Sequence, residues 1–283
     1  MEIYVLFALG AMLFWGFGDF FLSKAVRKAG NFLPLIFIGF FGAIIFAPKA
    51  FPLFHYLTTF DLLVLATLGF LHFAMDFFLL EGYRLGKLSV VEVLFQLELP
   101  LTIIIATTLL REFVSATMVV LFALVLTGSL LLAKFYTIKK SHFERGWWWA
   151  IVAAGFSAGV NVTTAFAAKE ISPLLAIWFP WVIVSLLSLV FLWKEFDTII
   201  TKAKKSFGTL LATALFQVAA WLSFSYALSG KNLSIVAGIT SGYCAITAFL
   251  GFWINDEKLN KWQIMGAIIS ICASIILAIA FGF

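Results

Sequence analysis

The sequence predicts an all-α integral membrane protein whose ten transmembrane helices form two inverted five-helix repeats. Three observations predict it. Of 283 residues, 63% are hydrophobic and only 12% charged, with mean hydropathy +1.09, whereas a water-soluble domain carries about 25% charged residues. Ten apolar runs separated by short polar loops each approach the ~20 residues that a helix rising ~1.5 Å per residue needs to cross ~30 Å of hydrocarbon. Finally, Leu85-Gly86-Lys87-Leu88-Ser89-Val90-Val91 answers to Gly230-Lys231-Asn232-Leu233-Ser234-Ile235-Val236, 145 residues further on. With five helices in each half, the odd number turns the second half over in the membrane.

In order, the runs cover 3 to 25, 32 to 53, 61 to 83, 88 to 110 and 114 to 136, then 147 to 168, 173 to 193, 207 to 229, 233 to 254 and 262 to 282. The first follows Met1-Glu2 with no basic leader, so it reads as a helix and not as a cleaved signal. The polar segment 137–146 is a linker. It divides the chain into a first repeat, 1–136, and a second, 147–283. The offset of 145 also sets Arg111-Glu112 opposite Asp256-Glu257, and an offset near 142 sets Asp19 opposite Asn161. Gly155 and Gly159, and Gly238 and Gly242, have the spacing that lets helix backbones approach closely. Trp147, Trp148, Trp149, Trp193, Trp253 and Trp262 fall at span ends and read as interfacial anchors. Cys244 and Cys272 lie inside apolar runs and read as small buried thiols; they have no metal-ligand spacing.

Lysine and arginine set the orientation. Fifteen of the nineteen fall on the side of the loops that follow odd-numbered helices, among them Arg27, Lys28, Arg84, Lys87, Lys134, Lys139, Lys140, Arg145, Lys194 and Lys258. Only Lys49, Arg111, Lys169 and Lys231 fall on the other. The rich side is expected in the cytoplasm, with both termini outside.

The fourth run carries the densest chemistry. Glu98 falls near its middle, where an ionisable group costs roughly 2.5–3.5 kcal/mol on insertion scales. Pro100 has no amide hydrogen, so a helix continuing through it leaves the Gln96 carbonyl without a partner. Other spans add Asp19, Asp76 and His72, the last two four apart on one helix face and within hydrogen-bonding reach. Glu81 and Glu92 lie nearer span ends, where solvated roles are expected, and with Asp19 and Asp76 they form an acidic funnel toward Glu98. No Lys or Arg sits at comparable depth, so these carboxylates are protonated, hydrated or partnered by substrate. The matching second-half positions are neutral: Asn161, Gln217, Tyr226 and Tyr243. A pocket with one acidic wall and one hydrogen-bonding, aromatic wall suits a small zwitterionic molecule, the rings facing its ammonium group.

The chain resembles the drug/metabolite transporter superfamily and, within it, the EamA-like ten-helix family. The resemblance rests on Trp15-Gly16, on Lys87-Leu88-Ser89-Val90-Val91 leading to Pro100 and Arg111-Glu112-Phe113, and on Leu233-Ser234-Ile235-Val236 leading to Asp256-Glu257-Lys258-Leu259. At the place of Pro100 the second half has Ala245. The resemblance implies a secondary transporter with a central cavity between the halves. It leads to the expectation of alternating access for a small polar or zwitterionic, amino-acid-like metabolite, moved outward across the cell membrane. The expected substrate- or proton-binding residues are Asp19, Asp76, Glu98, His72, Asn161, Gln217, Tyr226 and Tyr243. No cofactor, metal or nucleic-acid partner is expected. The partners are substrate, membrane lipids and protons as the coupling ion, and the assembly is a monomer or homodimer. With no nucleotide-binding loop or hydrolase motif, the chain is not read as an enzyme. The alternatives are a flippase for a lipid-linked headgroup and a membrane-embedded acid-base enzyme acting on lipid.

Overall fold

The computed structural model describes residues 2–86, 88–132, 146–193, 196–255 and 260–281. Lys87, the linker through Arg145, Lys194 and Asp256-Glu257-Lys258-Leu259 lie outside the described residues, as do Lys134, Lys139 and Lys140.

Among the described residues every regular element is helical. In order they are α1 (Ile3–Ala29), α2 (Phe32–Ala50), α3 (Thr59–Leu85), α4 (Leu88–Phe95), α5 (Glu98–Thr108), α6 (Ala116–Leu132), α7 (Trp147–Glu170), α8 (Leu175–Leu192), α9 (Phe196–Leu228), α10 (Leu233–Thr240), α11 (Tyr243–Asn255) and α12 (Lys261–Phe281). Among the described residues nine segments are long and apolar enough to span a membrane, with α4 and α5 sharing one and α10 and α11 another. The shorter apolar α6, Ala116–Leu132, makes the tenth, since 17 residues at ~1.5 Å reach about 25 Å. Large apolar side chains such as Ile44, Phe70, Val190 and Ile279 point outward, as they do where the surrounding solvent is lipid.

Packing between the halves follows a pseudo-twofold. α1 lies along α9 and α7 along α3; α2 meets α8, and α6 meets α12. Exchanging the halves exchanges the first two pairs and maps each of the others onto itself. The same operation carries the α5–α7 contact onto the α11–α1 contact. It extends to single side chains. Thr102 on α5 accepts a hydrogen bond from Asn161 Nδ2 of α7 at 3.2 Å, while Thr247, 145 residues on, donates to the Gly16 carbonyl of α1 at 3.1 Å.

Both broken spans break at the same repeat position, and this corrects the reading of Pro100. α4 stops at Phe95 and α5 starts at Glu98, so Pro100 occupies a first turn, where a missing amide hydrogen costs nothing. The Gln96 carbonyl is not freed: it accepts the Leu99 N–H at 3.1 Å. In the second half, Ala245 N–H donates to the Gly242 carbonyl at 3.2 Å across the break between α10 and α11, with no proline. Gly242 is wedged there against Met12 Sδ and Ser274 Oγ, at 2.7 and 2.8 Å from where a Cβ would stand.

One end of the bundle brings the last turn of α1 to the turn that follows α3. Arg27 donates to the Gly86 carbonyl at 3.0 Å, and Gly146 packs on Gly82 and Gly86. At the opposite end Lys231 Nζ lies 2.8 Å from Glu2 Oε2. Glu112 also sits there. Its carboxylate accepts the Leu233 and Ser234 N–H groups at 2.7 and 2.8 Å and the Ser234 hydroxyl at 2.7 Å, capping α10 from the other repeat. A carboxylate at a helix N-terminus satisfies orphan donors and meets the positive end of the dipole. Glu112→Ala is therefore expected to lower stability by about 2 kcal/mol, read as a reduced Tm in detergent, with Glu112→Asp recovering part of the loss.

The close helix crossings fall partly elsewhere than the Gly spacing indicates. Gly238 and Gly242 are tightly packed, but nothing approaches within 4 Å of a Cβ built on Gly155, and Gly159 meets only the Leu71 side chain at ordinary distance. One tight backbone crossing is Gly128 of α6 on Gly266 of α12. A Cβ on Gly128 would stand 2.6 Å from the Gly266 oxygen. Of the cysteines, Cys244 is buried and Cys272 exposed, because Cys272 faces outward on α12. Trp147, Trp148, Trp193, Trp253 and Trp262 are exposed at helix ends, whereas Trp149 turns inward onto Phe77 and Phe78.

Candidate functional site

A cavity lies between the halves at the level of the two helix breaks. Its atom-free space is about 560 Å³, but the part wide enough for water is only about 40 Å³, room for a few water molecules. The walls are closely apposed. Asp19 comes from α1, Asp76 from α3 and Glu98 from the first turn of α5; Ser157 and Asn161 come from α7, Gln217 from α9, and Tyr243 from the first turn of α11. Among the described residues no Lys or Arg belongs to this lining.

Each of two acidic side chains from the first half is hydrogen-bonded by the second. Gln217 Nε2 donates to Asp19 Oδ1 at 2.6 Å. Ser157 Oγ donates to Glu98 Oε2. Asn161, one turn beyond Ser157 on the same face of α7, holds Thr102 of α5. These neutral donors orient the carboxylates without cancelling their charge. A buried carboxylate lacking a cationic partner needs a proton or a cation from outside.

Aromatic rings close the remainder. Trp15 and Trp221 meet edge to face with centroids 4.9 Å apart, and Phe224 lies 5.0 Å from Trp15. The Tyr243 ring stands 6.1 Å from Trp15. Indole faces beside carboxylates are suited to an alkylammonium group, which gains from both.

His72 lies in a narrower side chamber between α2, α3, α8 and α9, which shares Asp76, Gln217 and Trp221 with the main cavity. The expected His72–Asp76 hydrogen bond is absent. The His72 ring stands edge-on to Trp221 with centroids 4.3 Å apart, and its buried Nδ1 has no partner among the described residues.

The structure thus brings Asp19, Asp76, Glu98, Asn161, Gln217 and Tyr243 to one cavity and His72 to its annex. It does not bring Tyr226, which is 36% exposed and packs its ring on Phe7 at 5.5 Å. Nor is there a continuous acidic funnel. Glu81 pairs with Arg84 one turn away, at 2.7 Å, because both reach the end of α3. Glu92 is not solvated: it is 1% exposed and accepts a hydrogen bond from the Tyr83 hydroxyl at 2.5 Å. Ser157 was not legible as a site residue, since a serine inside an apolar run is ordinary. Its one available signal is the four-residue spacing from Asn161, which puts both on one face.

The EamA-like transporter family matches the chain twice, over residues 2–134 and 144–279. No curated protein sequence matches significantly. A solved crystal structure shares the fold with a TM-score of 0.74 at 13% identity, the alignment covering 99% of this chain and 98% of the other.

Proposed function

Because the chain belongs to the EamA-like transporter family, and is thereby a multi-pass membrane transporter of small molecules, we propose that its cargo is a small polar or zwitterionic metabolite with an ammonium group. The observation that carries this reading is the cavity lining. Three carboxylates, Asp19, Asp76 and Glu98, face Trp15, Trp221 and Tyr243 with no lysine or arginine among them. That combination attracts a cationic group and leaves Asn161, Gln217 and Ser157 to hydrogen-bond the polar remainder.

The mechanism we favour is alternating access. The two repeats rock about the midplane cavity, with the broken spans as the elements that change most readily, since backbone there is already released from continuous helix. A proton exchanged at Glu98 against the substrate cation keeps the buried charge constant through the cycle. We further propose that the protein resides in the cell membrane with the basic loops cytoplasmic and both termini outside, and that it exports an amino-acid-like substrate.

The test uses purified protein in liposomes holding a pH dye, challenged with amino acids, amines, sugars and nucleosides. Wild type is expected to give a pH change with amine-bearing compounds alone. Glu98→Gln is expected to abolish that signal. A response confined to sugars or nucleosides defeats the ammonium reading, and a signal unchanged in Glu98→Gln removes Glu98 from coupling.

A further inference from the structure

Behind Tyr243, outside the cavity lining, lies a further buried carboxylate that the transport site does not use. Glu92 on α4 is 1% exposed, with Oε1 accepting a hydrogen bond from the Tyr83 hydroxyl at 2.5 Å and Oε2 without a hydrogen-bond partner among the described residues. Just past the end of α4, four residues on, Gln96 is also 1% exposed, and both atoms of its amide lack a partner among the described residues. The Tyr243 hydroxyl faces Glu92 and is likewise buried without a hydrogen bond. Unsatisfied buried polar atoms are rare and costly. Here several belong to neighbouring side chains on α4 and α11.

The groups around Glu92 can be enumerated by element. α3 presents Tyr83; α11 presents Tyr243 and Cys244; Asp19 and Glu98 act on Glu92 through their charges from the cavity side. α6 carries no titratable side chain, and those of α7 are Lys169 and Glu170 at its far end. Among the described residues no cation faces Glu92.

We propose that Glu92 is a second proton-carrying site, set behind the substrate cavity and joined to it by Tyr243. The proposal rests on the transport reading, to which it adds a second place, besides Glu98, where a driving proton is held. Tyr243 spans the two compartments, its ring in the cavity wall and its hydroxyl toward Glu92. In the arrangement of this structure the carboxyl keeps its proton, because it is sealed from water and no cation among the described residues faces it. When the repeats rock, α4 and α11 part at the two breaks and water reaches Oε2. The O–H bond breaks, the proton passes to water, and the carboxylate left behind is held by the donors of Tyr83, Tyr243 and Gln96. Rebinding a proton from the opposite side reverses the step. A proton, unlike a metal ion, needs no cavity of its own.

The experiment pairs infrared difference spectroscopy with transport. Purified protein is titrated over roughly pH 5 to 9, following the carbonyl stretch of protonated carboxyl groups, in wild type, Glu92→Gln and Tyr83→Phe. The expected result is a titrating band that Glu92→Gln removes and Tyr83→Phe shifts in frequency. In liposomes, Glu92→Gln is expected to lose at least tenfold in pH-gradient-driven accumulation of an amine-bearing substrate while retaining substrate counterflow, which needs no net proton movement. Glutamine matches the protonated side chain in shape, so Tm serves as the check on folding. A band identical in Glu92→Gln overturns the proposal, as does a Glu92 band that never titrates, since that marks a purely structural acid. Equal loss of counterflow and accumulation also overturns it. The infrared measurement uses no substrate, so failure of the transport reading is distinguishable from failure of this one.

Discussion

Neutralising Asp19, Asp76 and Glu98 together, as Asp19→Asn, Asp76→Asn and Glu98→Gln, is expected to reduce substrate flux at least about a hundredfold while the protein remains folded. The magnitude follows from the surroundings. Removing one partner of a buried charge pair costs about 2–5 kcal/mol, and a hundredfold needs only about 2.7 kcal/mol. The replacements preserve shape. In Asp19→Asn the new amide oxygen still accepts from Gln217, and in Glu98→Gln it still accepts from Ser157, so the contacts across the repeats survive. Radiolabel counterflow in liposomes measures the flux and Tm the folding. The single variants separate the roles, with Glu81→Gln as control, because Glu81 is paired to Arg84 outside the cavity. Undiminished counterflow in the triple variant removes these carboxylates from the substrate site.

The largest effect on stability is expected at Gly128. α6 and α12 cross there backbone to backbone, and an added Cβ would stand 2.6 Å from the Gly266 oxygen and 2.7 Å from the Ser270 nitrogen. Neither atom belongs to a flexible side chain, so whole helices must separate. Gly128→Val is expected to cost roughly 3 kcal/mol or more, and Gly266→Val a similar amount, since its Cβ would meet the Gly128 oxygen and the Leu131 Cβ. Gly155→Ala is the informative contrast. With nothing within 4 Å, it exchanges a helix-interior glycine for the best helix former and is expected to be neutral or stabilising by up to about 1 kcal/mol. Chemical unfolding in detergent reads all three. Equal losses at Gly128 and Gly155 would mean that the crossing does not decide stability.

These two predictions draw on different depths of information. The carboxylates were legible one by one, because an ionisable group at mid-span depth stands out against an apolar run whatever its neighbours do. Their convergence was partly legible through the repeat, which aligns Asp19 with Asn161 and Glu98 with Tyr243. The sorting among them was not. Asp19, Asp76 and Glu98 share a cavity, Glu81 is drawn to Arg84, and Glu92 turns to Tyr83; sequence distance distinguishes none of these fates. Tyr226 sits opposite Glu81 in the repeat, yet its ring faces Phe7 on the outside. Helical spacing puts His72 and Asp76 on one face, but Trp221, far along the chain on α9, takes the imidazole.

Glycine shows the same division. Gly238 and Gly242 announce themselves by spacing and are tightly packed, whereas Gly155 and Gly159 have identical spacing but open space at the first and only an ordinary side-chain contact at the second. Gly128 and Gly266 are single glycines in separate helices, and only their juxtaposition gives either a role. Proline misleads in a related way, because Pro100 is the one visible reason for a disturbance in the fourth span. The same break at Gly242, with Ala245 where a proline would fall, shows that proline accompanies it and does not create it.

By itself the sequence determined the class of the protein, the number and length of its crossings, the duplication and its inversion, and the presence of uncompensated carboxylates at depth. Those are properties of composition, periodicity and hydrophobic length, which the bilayer reads along the chain one segment at a time. The tertiary structure decided which carboxylates meet, which donors from the opposite repeat hold them, where the backbones touch and where the spans break. Such choices depend on contacts between residues far apart in the chain, and a side chain's rotation about its own helix axis becomes a partner only when the facing helix is in place.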